Sequence, residues 1–191
     1  MNLTRRDFLK AAAATSMTLG LAACSAQKAP LGTPGAGMRF GLVTYLWGRD
    51  WDLPTLIANC AACDILGVEL RTQHAHGVEP TLTAVERADV KKRFADSPVT
   101  CVGYGSNQEY HSPDAAELRR QIESTYELIK LCHDIGASGV KVKPNDLPDG
   151  VPAEKTIAQI GASLNDIGTF AQDYGQEIRV EVHGRLTQLP A

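Results

Sequence analysis

The side chains able to do chemistry fall in five short groups along the chain. Tyr45, Trp47 and Arg49 form the first group; Glu69, Arg71, His74 and His76 form the second. Tyr104, Asn107, Glu109 and His111 make the third, Lys141, Lys143, Asn145 and Asp146 the fourth, and Glu181, His183 and Arg185 the fifth. Each group closes or follows a short apolar run of strand character. Of the 5 His residues, only His133 lies elsewhere, so the imidazoles are not scattered evenly. Carboxylates, imidazoles and ammonium groups gathered in this way suit two kinds of work, holding a hard cation and moving a proton. Glu181 and His183 are two residues apart, and strand side chains repeat every two residues, so both point the same way.

The cysteines carry less. Cys60-Ala61-Ala62-Cys63 has the C-x-x-C form, but it falls inside a predicted helix and not at the helix amino end that lowers a thiol pKa. Cys101 lies in a predicted strand and Cys132 on the apolar stripe of a helix. All four read as buried small hydrophobes.

The elements that must position these groups alternate. Met38–Thr44 reads as a strand. Asp52 caps a helix over Leu53–Leu66, and Val68–Arg71 is a second strand. Thr83 caps a helix through Phe94, with Lys91, Lys92 and Arg93 in its last turn, where cations suit the helix dipole. A third strand covers Pro98–Gly103. Ser112-Pro113-Asp114 opens the longest helix, to about Ile135, and Gly136 ends it. Ser138–Lys143 is a fourth strand, Pro152–Tyr174 a fourth helix, and Glu177–His183 a fifth strand. Such alternation predicts a parallel sheet with crossover helices, either part of an eight-stranded barrel or an open sheet. Four units of roughly 35 residues would scale to about 280 for eight, within the usual span of barrels. Neither Tyr45-Leu46-Trp47-Gly48 nor Gly103-Tyr104-Gly105 forms the glycine-rich phosphate loop common in open sheets.

Two segments carry a family likeness. Leu66-Gly67-Val68-Glu69-Leu70-Arg71-Thr72, with His74 and His76 after it, resembles the second-strand segment of the xylose-isomerase-like superfamily. Val180-Glu181-Val182-His183-Gly184 resembles that superfamily's fifth-strand segment, whose Glu is a divalent metal ligand. The resemblance implies a (β/α)8 TIM barrel over 38–191, of which this chain holds five strands and four helices. It implies a sugar or sugar phosphate isomerase or epimerase in which a metal grips two sugar oxygens and steadies an enediolate. Glu181 is then the metal ligand and catalytic carboxylate, for Mn²⁺, Mg²⁺ or Zn²⁺. Trp47, His76, Lys143 and His183 are the candidate substrate-binding residues. The plain alternative for Glu181 is an ion pair with a neighbouring Arg or Lys. A second Glu six positions beyond the metal Glu serves some epimerases of the group, but Thr187 stands there.

The family's other ligands, an Asp, a His and a Glu, come from strands six to eight, and the sequence reaches Ala191 soon after strand five. The expectation is therefore a truncated barrel, for which two functions of different kinds stand. One is an isomerase or epimerase that needs the remaining strands; the other is a non-catalytic carbohydrate-binding remnant or gene fragment. An AP endonuclease role, also known in the superfamily, fits poorly. The formal charge is -3 and no basic run follows Lys10, which argues against nucleic acid as a partner.

The amino end is an address. Thr4-Arg5-Arg6-Asp7-Phe8-Leu9-Lys10 precedes a short weakly apolar run, Ala11–Leu21, too short for a membrane span of about 20 residues. Leu21-Ala22-Ala23-Cys24 resembles a lipobox, in which cleavage precedes a Cys that carries the lipid. Residues 1–23 therefore read as a twin-arginine lipoprotein signal, Cys24 as the lipidation site, and 24–37 as a flexible Ala-, Pro- and Gly-rich tether. The expected location is the cell envelope on the periplasmic side, exported already folded and lipid-anchored to the membrane.

Overall fold

A computed structural model describes residues 38–184 and Thr187. The signal (1–23), Cys24, the tether up to residue 37 and Arg185 lie outside the described residues. The elements alternate as the sequence predicts: β1 (Gly41–Val43), α1 (Leu53–Ala62), β2 (Gly67–Arg71), α2 (Ala84–Ala95), β3 (Thr100–Gly105), α3 (Ala115–Ile135), β4 (Gly139–Val142), α4 (Ala153–Asp173) and β5 (Glu177–Val180). All four strand pairings are parallel, and the strands lie side by side in chain order. A parallel neighbour cannot be reached by a tight turn, so each pair needs its crossover helix.

Local chemistry sets the helix ends. Asp52 accepts from the Thr55 N–H at 2.9 Å, and Thr83 and Glu86 form a reciprocal capping box. Asp114 accepts from Ala116 N–H, and Gly136 closes α3 in the left-handed conformation at φ 80°. α1 is shorter than its apolar spacing predicts. It stops at Ala62, with Cys63 as C-cap, because Asp64 turns to φ 57° and Ile65 N–H bonds back to Cys60. Gly67 therefore opens β2 instead of ending the helix.

One face of the sheet packs on the helices. Val68, Leu70, Tyr104, Val140 and Val142 are fully buried there with Leu56 of α1, Ile129, Leu131 and Cys132 of α3 and Ile167 of α4. Burying these side chains is the main favourable contribution to the fold, about 1.5–3 kcal/mol for each large one. Tyr104 carries a hydroxyl into this layer and donates it to Val78 O at 2.9 Å, while the Tyr110 hydroxyl pairs with Thr125 at 2.7 Å. Cys60, Cys101 and Cys132 are buried, and burial pushes the Cys101 thiol up to about 12. Cys63 departs from the expectation: as a C-cap it faces solvent. Among the described residues no helix is long and apolar enough to cross a membrane.

Candidate functional site

The opposite face of the same strands is polar. Because side chains alternate, the residues between the buried valines and leucines point away from the helices. They are Glu69 and Arg71 of β2, Lys141 of β4 with Lys143 after it, and Arg179 of β5 with Glu181 and His183 after it. Lys141 is the centre of this face. Its Nζ lies 2.7 Å from Glu181 Oε2 and 3.0 Å from Glu69 Oε1, so one ammonium bridges two carboxylates from three strands. Among the described residues the buried Glu69 Oε1 has no hydrogen-bond partner, so its contact with the ammonium is one of charge. A register shift between Val68 and Glu69 in the β2–β3 pairing sets Glu69 opposite Gly103. Gly105 leaves the room, since a Cβ there would sit 2.8 Å from Glu69 Oε1.

The electrostatics follow from this bridge. The hydrogen bond from Lys141 holds the Glu181 carboxyl below its ordinary range, against the opposing effect of burial. Burial alone would lower the Lys141 ammonium, but its hydrogen bond to Glu181 and the negative charge of Glu69 outweigh that and raise it. Two negative groups and one positive leave this cluster with one negative charge. Below it, Arg179 forms a second layer, donating to Val102 O at 2.6 Å and to Ser138 Oγ and Glu177 Oε2 at 2.8 and 2.9 Å. The cleft over the bridge has a volume of ≈ 350 Å³ and is lined by Lys141, Glu181, His183, Lys143, Arg71 and Tyr45, among others.

A second cleft of ≈ 290 Å³ adjoins it and shares Tyr45, Arg71 and Lys143. Arg71 donates Nη2–H to Asn107 Oδ1 at 2.7 Å, and its guanidinium lies 5.1 Å from the centre of the Tyr45 ring. Thr44 Oγ1 accepts from the Arg71 backbone N–H at 3.0 Å and lies 3.1 Å from His74 Nδ1. Burial first, then Arg49 and Arg71, hold the His74 imidazole below its ordinary value, so it is neutral at physiological pH.

The family model described as xylose isomerase-like TIM barrel matches residues 57–189, more than half of the chain. The chain belongs to that family. A twin-arginine translocation signal also matches residues 2–22, so the leader directs export through the twin-arginine pathway. Among curated proteins no relative matches. Solved structures share the fold at low identity. The IolI protein with a bound zinc atom superposes with a TM-score of 0.65 at 14% identity, covering 75% of this chain and 51% of that one. D-psicose 3-epimerase with D-tagatose, from Clostridium cellulolyticum H10, gives 0.64 at 17% identity, covering 76% and 52%. 3-Keto-D-glucoside 4-epimerase, YcjR, from E. coli gives 0.61 at 10% identity, covering 75% and 55%. The chain spans about half the length of these structures.

For this xylose isomerase-like chain, the structure brings together some of the residues that the sequence singles out. Glu181, His183 and Lys143 line one cleft. His183 Nδ1 donates to Asn145 Oδ1 at 2.6 Å, which fixes Nε2 as the acceptor nitrogen. Trp47 is 79% exposed in the loop after β1 and lines neither cleft. His76 is buried, and both its ring nitrogens are engaged by backbone. Nδ1 accepts from Val78 N–H at 3.0 Å, so Nε2–H donates to Arg71 O at 2.8 Å. It braces the loop after β2 and borders a separate cleft beside α1 and α2. The sequence marks Glu69 and Lys141 only as strand-end polar residues, whereas they complete the central cluster. The signal for them was the alternation itself: Lys141 lies between two buried valines and Glu69 between a buried valine and a buried leucine.

The donor set does not make a metal cage on its own. Among the described residues no group of three or more His, Cys, Asp or Glu is placed to hold an ion. Glu181 is already neutralised by Lys141, the ion pair that was the plain alternative for it. Tight divalent sites bring about three or four protein ligands. Glu181 and the nearby His183 fall short of that number.

Proposed function

We propose that this protein is an exported sugar isomerase or epimerase whose inner-face cluster moves a carbon-bound proton beside a carbonyl. The observation that carries the reading is the single ammonium of Lys141 held between the carboxylates of Glu69 and Glu181. Glu181, kept ionised by Lys141, takes the proton next to the sugar carbonyl. The C–H electron pair then moves into the carbon–carbon bond and the carbonyl oxygen becomes an enediolate oxygen. An ammonium has three N–H donors, and the Glu181 carboxylate engages one, so donor capacity is left for that oxygen. Glu181 then gives the same proton back to carbon, at the adjacent position for an isomerisation, and ends ionised as it began, while the Glu69 carboxylate on the other side of the ammonium keeps Lys141 charged and in place. The lowered basicity of Glu181 makes this stabilisation of the enediolate necessary.

The expected dependence on Mn²⁺, Mg²⁺ or Zn²⁺ rests on Glu181 as one ligand, on the family likeness and on the zinc in a structure of similar fold. Because the described residues do not complete a cage, any such ion draws its other ligands from outside them. Sugars are the substrate class because structures of similar fold are named as sugar epimerases. A second reading, carbohydrate binding without turnover, is favoured by the lack of a three-ligand group among the described residues. The anchor is part of the proposal as well: Cys24 carries the lipid, so Cys24→Ala releases the protein from the membrane fraction. Retention of that variant on the membrane would contradict it.

Interconversion of aldoses and ketoses, followed with and without added Mn²⁺, separates the readings. Turnover that falls about 10²- to 10⁴-fold in Glu181→Gln, the usual weight of a general base, supports the isomerase. Sugar binding with no turnover under any metal supports the binding protein. Full activity in Glu181→Gln overturns the proposed mechanism.

A further inference from the structure

We infer that the cleft beside the Lys141 cluster is an anion site, and that the sugar taken by this protein carries a negatively charged group. The inference rests on the sugar reading above and adds the class of substrate.

Arg71 is the observation that points to a ligand. It is only 8% exposed, and among the described residues no carboxylate lies within ion-pairing distance of it. Of the five N–H donors on its guanidinium, one is bonded to an acceptor among the described residues, the neutral Asn107 amide oxygen. Burying a cation without an anion is costly, and proteins normally avoid it. What surface Arg71 keeps borders both clefts.

The surroundings have the same sign. Arg49, Arg71 and Lys143 border the second cleft, His74 is neutral there, and no carboxylate lines it. The two acidic groups that act on His74 are committed elsewhere. Glu79 accepts from Gln73 N–H at 2.6 Å and from Thr72 Oγ1–H at 3.2 Å, and its Oε2 lies 3.1 Å from the Tyr104 hydroxyl oxygen. Asp50 lies 3.8 Å from Arg49 and its side chain is 91% exposed, so it is a screened surface partner. Among the described residues the one carboxylate lining the adjoining cleft, Glu181, is paired with Lys141. A planar guanidinium with free donors suits the paired oxygens of a phosphate or a carboxylate. Arg71 and Lys143 line both clefts, so a sugar over Lys141 can extend its charged end toward them without leaving the site.

The test is equilibrium binding of four probes to the purified protein: fructose, fructose 6-phosphate, glucuronate and inorganic phosphate. At low salt the two charged sugars are expected to bind at least about tenfold more tightly than fructose, the factor of about one charge-assisted contact. The gap should close in Lys143→Gln and in Arg71→Gln, and should shrink at high salt. Whichever charged sugar binds more tightly identifies the anionic group. Arg71→Gln also removes a buried side chain, so Lys143→Gln, on a half-buried position, decides the matter if the Arg71 variant fails to fold. Inorganic phosphate separates the two levels of the argument. Phosphate bound through Lys143 while no sugar binds would sustain the anion site and overturn the sugar reading. Fructose bound as tightly as fructose 6-phosphate would overturn the anion site and leave the sugar reading standing.

Discussion

The two faces of the sheet are built from the same strands in strict alternation, yet they are at opposite ends of protein chemistry. On the helix side Val68, Leu70, Val140 and Val142 are sealed, and the polar atoms that enter, such as the Tyr104 hydroxyl, are bonded. On the inner side Glu69, Lys141 and Glu181 stay partly open, and among the described residues one carboxylate oxygen has no hydrogen bond and Arg71 has no anion. The helix side holds the fold together. The inner side is left electrostatically unfinished, as a surface that must receive a ligand would be.

The comparison can be broken most forcefully from the helix side. Ile129→Ala empties a fully buried position on α3 and should cost about 2–5 kcal/mol in urea unfolding. Lys141→Met should cost less, about 1–3 kcal/mol, because it leaves two carboxylates facing each other without their shared cation. A loss as large as that of Ile129→Ala would mean that the inner face is structural as well. Tyr104→Phe, which leaves Val78 O without its buried donor, should cost about 1 kcal/mol in the same assay.

Acidity sharpens the contrast with a smaller effect. His76 is held below its ordinary value of 6.5, chiefly by burial, so the folded chain prefers it neutral. Its contribution is therefore present above pH 6.5 and is lost as pH falls through the lowered folded value. Glu181, also lowered, keeps its contribution above its ordinary 4.5 and loses it on further acidification. Lys141 is raised, so its contribution persists below 10.5 and is lost only as the pH climbs through the higher folded value. Unfolding midpoints measured between pH 4 and 7 should show an acid loss near pH 6 that His76→Gln diminishes. An unchanged slope in that variant would remove His76 from the account. The smallest effect expected is that of Glu181→Gln on stability, within about 1 kcal/mol, since the Glu181 side chain is 33% exposed in its pair with Lys141.

Much of this was readable in the residues. The caps at Asp52 and Thr83, the stop at Gly136 and the apolar alternation gave element order and parallel pairing, and the resemblance of Leu66–Thr72 and Val180–Gly184 pointed to the family. They also placed Glu181 and His183 on one side of the chain. What could not be read was distance across strands. That Lys141 reaches both Glu69 and Glu181 depends on the register shift at Val68/Glu69 and on the space above Gly105, and neither has a local signal. The bracing role of His76 depends on a loop that returns to Arg71, a contact invisible in sequence. Cys63 was misjudged because helical spacing does not reveal where Asp64 breaks the helix.

Proton exchange is the most direct test of the central claim that the Glu69–Lys141–Glu181 face does carbon acid chemistry on a sugar. The protein is incubated in D₂O with candidate sugars and divalent metal, and deuterium at the carbon beside the carbonyl is read by NMR. The account predicts incorporation by the wild type that Glu181→Gln reduces by at least about a hundredfold. Exchange at an equal rate in both proteins, or bound sugar with no exchange at all, would contradict it.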